Sequence, residues 1–230
     1  MNNVLITGAS RGLGLEFTRQ YAAAGWRVFA ACRDPAAAPE LNQAMDQADG
    51  RISLHKLEVT DQAAIGKLAR ELSHQPIDLL INNAGVNGRG AGDFGKTPTE
   101  DWLKTMAVNV VAPMHMAEAF ADHLAKSERK ILLTISSRMG SIAENAGGYY
   151  AYRSSKAAVN CVAKGLSGDL GSRGITVVVM HPGWVRTDMG GASAPLSPSD
   201  SVSGMRKVID GLTPGDNGKF LNYDGSVIPW

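Results

Sequence analysis

The sequence predicts one doubly wound α/β domain on a mostly parallel seven-stranded sheet, and three observations lead there. Short apolar, β-branched runs recur along the whole chain, and most are separated by segments of helical character ten or more residues long. The run Ile-Thr-Val-Val-Val-Met at 175–180 is almost continuously apolar, as suits a strand buried on both faces. Strands alternating with helices imply right-handed crossovers that cover both faces of a parallel sheet.

The elements follow in order. Val-Leu-Ile at 4–6 is the first strand, and the glycine-rich turn behind it opens a helix over 12–24. Strands are expected at 27–31, 52–57, 77–81, 131–135, 175–180 and 219–221, with further helices at 61–73, 100–126, 152–171 and 200–211. Residues 183–200 are dense in Gly, Ser, Pro and Ala and read as a long loop after the sixth strand. A loop of that length at a strand's carboxyl end is expected to serve function, so 184–200 is the expected substrate loop.

At 230 residues the chain suits a single domain over 1–230 with one sizeable core. Its 23 Lys plus Arg against 22 Asp plus Glu give a net charge of +1, which offers no broad basic field for nucleic acid. The two cysteines, Cys32 and Cys161, are far apart and lack metal-ligand spacing, so a disulfide framework and a zinc site are both disfavoured. No apolar stretch approaches the roughly 18 residues needed to span a bilayer. These features lead to the expectation of a cytoplasmic protein with no membrane or nucleic-acid partner and no metal.

Directly after the first strand comes Thr7-Gly8-Ala9-Ser10-Arg11-Gly12-Leu13-Gly14. Gly8 can make the tight turn, Gly12 lets backbone N–H groups approach a diphosphate, and Gly14 lets the helix pack close to the strand. The spacing is a variant of the usual dinucleotide fingerprint, and a strand before it and a helix after it strengthen the assignment to a Rossmann-type site. The end of the second strand, Ala31-Cys32-Arg33-Asp34, bears on the coenzyme. An acid there accepts from a ribose 2′-OH, whereas a basic residue pairs a 2′-phosphate, and spacing alone does not separate Arg33 from Asp34. Arg11 and Arg33 together could clamp a phosphate, which favours NADP(H); the alternative is two solvated surface arginines.

Tyr152 and Lys156 stand four residues apart on one face of an expected helix. A free phenol has a pKa near 10, and a neighbouring cation lowers it, so the pair is a plausible general acid. The fifth strand ends in Ser136-Ser137-Arg138-Met139-Gly140, at the sheet edge where ligands bind in such folds. Asn109 interrupts an otherwise apolar helix, and a water held between it and Lys156 could satisfy its amide.

In this combination the chain resembles, over its whole length, the single-domain short-chain dehydrogenase/reductase family. The matching motifs are Thr7 to Gly14, Asn82-Asn83-Ala84-Gly85, Asn109, Ser137, Tyr152 with Lys156, and Pro182-Gly183 with Thr187. The resemblance implies that Tyr152 gives a proton to a substrate carbonyl oxygen and that Ser137, chosen over Ser136 because Gly140 then fits the family's Ser-x2-Gly turn, hydrogen-bonds the same oxygen. Lys156 would hold the nicotinamide ribose and lower the phenol's pKa, and Asn109 would support a water relay. Cofactor contacts are expected from Gly8, Ser10, Arg11, Gly12, Leu13, Gly14, Arg33, Asn83, Ala84, Gly85, Tyr152, Lys156, Pro182, Gly183, Val185 and Thr187. Glu58 and Val59 would lie at the adenine, and Glu58 departs from the family's usual Asp.

Longer strings, at 150–156, 181–191 and 220–230, resemble the C-factor-like and Sniffer-like carbonyl reductases. They imply an NADPH-dependent oxidoreductase that reduces an aldehyde, ketone or quinone, and they leave open a cofactor-binding regulator or intercellular signal whose turnover is incidental. A Rossmann-like domain for another ligand, such as a methyltransferase, is disfavoured by Arg33 and the Tyr152, Lys156 pair. Trp184, Met189, Met139 and Tyr150 either line a substrate space or belong to the core. The family resemblance also implies a possible homodimer or homotetramer through the helices at 100–126 and 152–171.

Overall fold

The computed structural model describes residues 1–88 and 93–230. Its strands are β1 (Asn3–Thr7), β2 (Arg27–Cys32), β3 (Ile52–Lys56), β4 (Leu79–Asn82), β5 (Ile131–Ile135), β6 (Thr176–His181) and β7 (Lys219–Asn222). They form one sheet in the order β3-β2-β1-β4-β5-β6-β7, and every neighbouring pair is parallel. The helices are α1 (Gly12–Ala23), α2 (Pro39–Asp46), α3 (Gln62–Glu71), α4 (Thr99–Met106), α5 (Ala112–Ala125), α6 (Tyr150–Gly171) and α7 (Pro198–Asp210).

Side chains alternate across each strand, so a sheet covered on both faces needs apolar residues at successive positions. Val4 and Ile6 enter a core with Phe17 and Tyr21 of α1 and Met205 of α7. Leu5, between them, enters the opposite core with Ile65 of α3 and Phe120 of α5. The chain runs outward from β1 to β3 and then returns to β4 on the other side of β1. The loops at the carboxyl ends of β1 and β4 therefore diverge and leave the crevice in which ligands bind in open parallel sheets. No helix among the described residues is long and apolar enough to cross a membrane.

Four local features differ from the sequence reading. The helix α2 is short and was unforeseen. The strand β4 begins at Leu79, and just before it the Asp78 Oδ2 accepts from the Asn3 backbone N–H at 2.8 Å. The helix α6 starts two residues before Tyr152. The helix expected over 100–126 is interrupted by a π-helical turn, Ala107–Val111, between α4 and α5. Pro113 explains the break, since it has no N–H to give the carbonyl of Asn109 and the ordinary i to i−4 ladder cannot run through it.

Candidate active site

The glycine turn is fixed by backbone conformations that favour glycine. Gly8 and Gly12 have φ of 68° and 56°, in the left-handed region. A Cβ on Gly14 would run into the Gly8 carbonyl oxygen, so α1 can sit against β1 only with glycine there. Asn83 braces the turn from behind: its Nδ2 donates to the carbonyls of Thr7 at 2.9 Å and Gly8 at 3.2 Å. Thr7 Oγ1 accepts from the backbone N–H groups of Asn83 and Ala84, each at 3.1 Å. No side chain caps α1, which leaves its first N–H groups facing the crevice as an anion site. Ser10 and Leu13 lie within this turn, and Leu13 packs against the core.

At the coenzyme-selecting edge, Arg33 is exposed just beyond β2. The Asp34 Oδ1 is engaged locally, accepting from the N–H groups of Ala36 at 3.1 Å and Ala37 at 3.3 Å. Arg11 is paired with Asp188 at 3.0 Å, a partner that sequence spacing gave no means of finding. The pair is highly exposed and its strength is correspondingly small. Glu58 is exposed, and its Oε1 accepts from the N–H and hydroxyl of Thr60 at 3.1 and 2.9 Å. Val59 and Ala84 pack beside Thr7, Asn82 and Val108 against Ala112 and Met116 of α5, leaving no room for a water.

The catalytic candidates converge where β5 meets α6. Ser136 is committed to structure, donating to Asn160 Oδ1 at 2.6 Å, whereas the Ser137 hydroxyl faces the Tyr152 phenol. Burial raises the Tyr152 pKa and the facing Ser137 hydroxyl draws it partway back. Lys156 is buried, donates through Nζ to the Ile135 carbonyl at 2.8 Å, and lies 5.8 Å from the centre of the Tyr152 ring. Burial holds the Lys156 pKa down to about 8. Lys156 Nζ is bonded to the Ile135 carbonyl, and the group that opposes the upward effect of burial on the phenol is the Ser137 hydroxyl.

Gly140 permits this convergence. A Cβ there would stand 2.7 Å from the Lys156 carbonyl carbon and 2.8 Å from its Cβ. Gly140→Ala is expected to destabilise the protein by about 1 to 3 kcal/mol and to reduce activity by separating Ser137 from Lys156. Denaturant titration alongside rate measurement checks both, and an unchanged midpoint would show that the turn yields without cost.

Asn109 sits in the π turn, 1% exposed. Its Oδ1 accepts from the Val86 N–H at 2.9 Å, and its Nδ2 donates to the Val86 carbonyl at 2.8 Å and to Ser155 Oγ at 2.9 Å. Ser155 in turn donates to the Tyr152 carbonyl at 2.8 Å. Both amide hydrogens are used, so Asn109 pins the segment after β4 to α6. Gly85 lies between it and Lys156, its notional Cβ 3.3 Å from Asn109 Oδ1 and 3.8 Å from Lys156 Nζ. Val86 and Ser155 are positioning residues that carried no signal in the sequence.

The loop after β6 is tightly built. Arg186 N–H donates to the Leu196 carbonyl at 2.9 Å and Leu196 N–H to the Trp184 carbonyl at 3.2 Å. Arg186 Nη1 reaches the carbonyls of Ala194 and Pro195 at 2.9 and 2.7 Å. Gly183, with φ of 83°, turns the chain after Pro182, and Val185 is buried. Thr187 lies over the glycine turn, its Cγ2 3.5 Å from a notional Gly12 Cβ, so the loop meets the cofactor crevice there and through Asp188. Trp184 and Met189 are exposed. Met139 and Tyr150 instead line a separate cavity of about 130 Å³ that neither Tyr152 nor Ser137 lines.

Comparison with known proteins agrees with this geometry. The short chain dehydrogenase family profile matches residues 2–195. The C-signal protein of Myxococcus xanthus is 44% identical over 156 residues, which span 67% of this chain and 93% of that protein. Among solved structures, the carbonyl reductase Sniffer of D. melanogaster superposes with a TM-score of 0.92 at 34% identity, covering all of both chains. An NADPH-bound carbonyl reductase from chicken fatty liver gives a TM-score of 0.92 at 35% identity, covering 100% of this chain and 99% of that one. The profile match covers most of the sequence and the fold is shared from end to end, and the chain accordingly belongs to the short chain dehydrogenase family.

Proposed function

We propose that this protein is an NADP(H)-dependent reductase that converts an aldehyde, ketone or quinone carbonyl to the alcohol, with Tyr152 as the proton donor. The observation that carries this reading is the convergence of Tyr152, Ser137 and Lys156 at the carboxyl edge of the sheet, beside a glycine turn shaped for a diphosphate. Similarity to an NADPH-bound carbonyl reductase supports it.

The residues present fit a dinucleotide. Gly8 and Gly14 let the turn and α1 approach the Asn83–Ala84 backbone and the Gly8 carbonyl, the open end of α1 would receive the diphosphate, and Thr187 stands over the same turn at Gly12. Arg33 would pair the 2′-phosphate, with Arg11 shared between that phosphate and Asp188. Glu58 would contribute through its backbone or its free Oε2, because Thr60 occupies Oε1.

When bound, NADPH supplies the hydride that reaches the carbonyl carbon. The Tyr152 hydroxyl delivers the proton to the carbonyl oxygen, and Ser137 donates a hydrogen bond to that oxygen, so hydride and proton together complete the alcohol. Burial keeps the phenol protonated at neutral pH, the form that reduction requires. Lys156 would hold the ribose hydroxyls, and Asn109 fixes the Gly85 wall between itself and the ammonium.

The test is consumption of NADPH and of NADH with a panel of aldehydes, ketones and quinones. A charge-assisted contact of about 1.5 to 3 kcal/mol corresponds to roughly tenfold or more in affinity, so kcat/KM should favour NADPH by about tenfold. Arg33→Ala should remove most of that preference while leaving NADH turnover nearly unchanged. Equal kcat/KM for the two coenzymes in the parent protein would overturn the assignment of Arg33.

A further inference from the structure

The cavity of about 130 Å³ beside the start of α6 holds a cation whose charge the mechanism does not use. Arg153 projects there, half-buried. Among the described residues its side chain makes one hydrogen bond, from Nη1 to the Met139 carbonyl at 3.4 Å, and its buried Nε has no partner there. Burying polar nitrogens unpaired is costly, more so on a charged group. No carboxylate lines the cavity, and Arg153 forms no ion pair among the described residues.

The backbone adds positive potential at the same place. The helix α6 is 22 residues long and starts from Tyr149, which has φ of 49° and supplies no side-chain cap. An arginine near the first turn of an uncapped helix sits against the positive end of the dipole, an unfavourable arrangement unless an anion compensates it. The remaining walls are largely apolar. Trp102, Met139 and Ala157 line the cavity, and Ile142 and Tyr150 stand at it 75% and 36% exposed. Trp102 is held in place by its indole N–H, which donates to Ser154 Oγ at 2.9 Å. For scale, an apolar cavity of about 150 Å³ accepts one benzene molecule.

We infer that this cavity is a binding site for a small organic carboxylate with an apolar body, the carboxylate pairing Arg153 and the body lying against Trp102 and Tyr150. The site is separate from the coenzyme crevice, and the inference is independent of the reductase reading.

The probe is benzoate, titrated calorimetrically into the full chain with and without saturating NADPH, with benzamide as the neutral isostere. Benzoate should bind one site per chain, benzamide at least about tenfold more weakly, and NADPH should leave benzoate binding in place because Arg11 and Arg33 lie elsewhere. Arg153→Gln should weaken benzoate by about tenfold or more, whereas Arg33→Ala should not. Equal binding of benzoate and benzamide to the parent protein overturns the inference even if Arg153→Gln does not fold. Competition by NADPH, undiminished binding to Arg153→Gln, or no saturable benzoate binding also overturns it. Carbonyl reduction is measured separately, so either proposal can fail without the other.

Discussion

Tyr152→Phe is expected to lower carbonyl reduction by roughly 10² to 10⁴, the range of a general acid's contribution, while NADPH still binds. The change deletes one oxygen and keeps the ring, so the contact of that ring with Lys156 within α6 survives. The Ser137 hydroxyl that faces the phenol remains and can still orient a carbonyl oxygen, but the proton source of the proposed mechanism is gone. A pH dependence follows from the same burial. Because the phenol's pKa is raised, it holds its proton through neutrality, and the rate of reduction should fall only on the alkaline side, first as Lys156, whose pKa is held down to about 8, gives up its charge and further as Tyr152 ionises. Tyr152→Phe should keep the first decline and lose the second. A variant retaining more than half the parent activity would remove Tyr152 from the role.

Lys156→Met is expected to abolish most turnover and yet leave the coenzyme-free protein more stable at neutral pH. Burial lowers the folded-state pKa of Lys156 from 10.5 to about 8. Between those values the unfolded chain binds a proton that the folded chain releases, so stability rises with pH across this window and the full penalty applies below about pH 8. The penalty is of the order of 3 kcal/mol, offset by about 1 kcal/mol for the bond to the Ile135 carbonyl. A methionine of similar length carries neither, so a gain of about 2 kcal/mol at pH 7 is expected, shrinking toward pH 10.5. Urea titrations at several pH values measure it. A variant less stable than the parent at pH 7, or a difference that does not change with pH, would show that the ammonium is better solvated than its surroundings indicate.

Activity and stability are thus opposed at Lys156, and that opposition shows which parts of the site the sequence could reveal. The glycine turn was readable because Gly8, Gly12 and Gly14 are demanded by local backbone geometry and close approach. Tyr152 and Lys156 were readable because helical spacing sets them on one face and the other motifs stand in order around them. Ser137 was separated from Ser136 by the Gly140 register, and the structure shows why: Gly140 is the point at which the turn presses on Lys156.

Features that depend on partners distant in sequence were hidden. Asn109 stood out as a polar residue among apolar ones, but nothing local showed that its amide would be filled by Val86 and Ser155. The π turn that presents it looks like continuous helix in the apolar pattern, and Pro113 was its only local mark. Arg11 stands in the glycine turn as a phosphate candidate, but its pairing with Asp188, 177 positions away, could not be found from spacing. The helix α2 escaped because only Leu41 and Ala44 of its eight residues are buried, too few to set a period.

The central claim is that hydride passes from NADPH to a carbonyl carbon at this site, and isotope transfer tests it most directly. The parent protein is incubated with NADPH deuterated at both C4 positions and with an aldehyde or ketone active in the panel, and the alcohol is analysed by mass spectrometry and NMR. The expected result is one deuterium on the carbinol carbon, with one NADP⁺ formed per alcohol, and no such product from Tyr152→Phe beyond its residual rate. Alcohol without deuterium at that carbon, or NADPH bound with no carbonyl in the panel reduced, would contradict it.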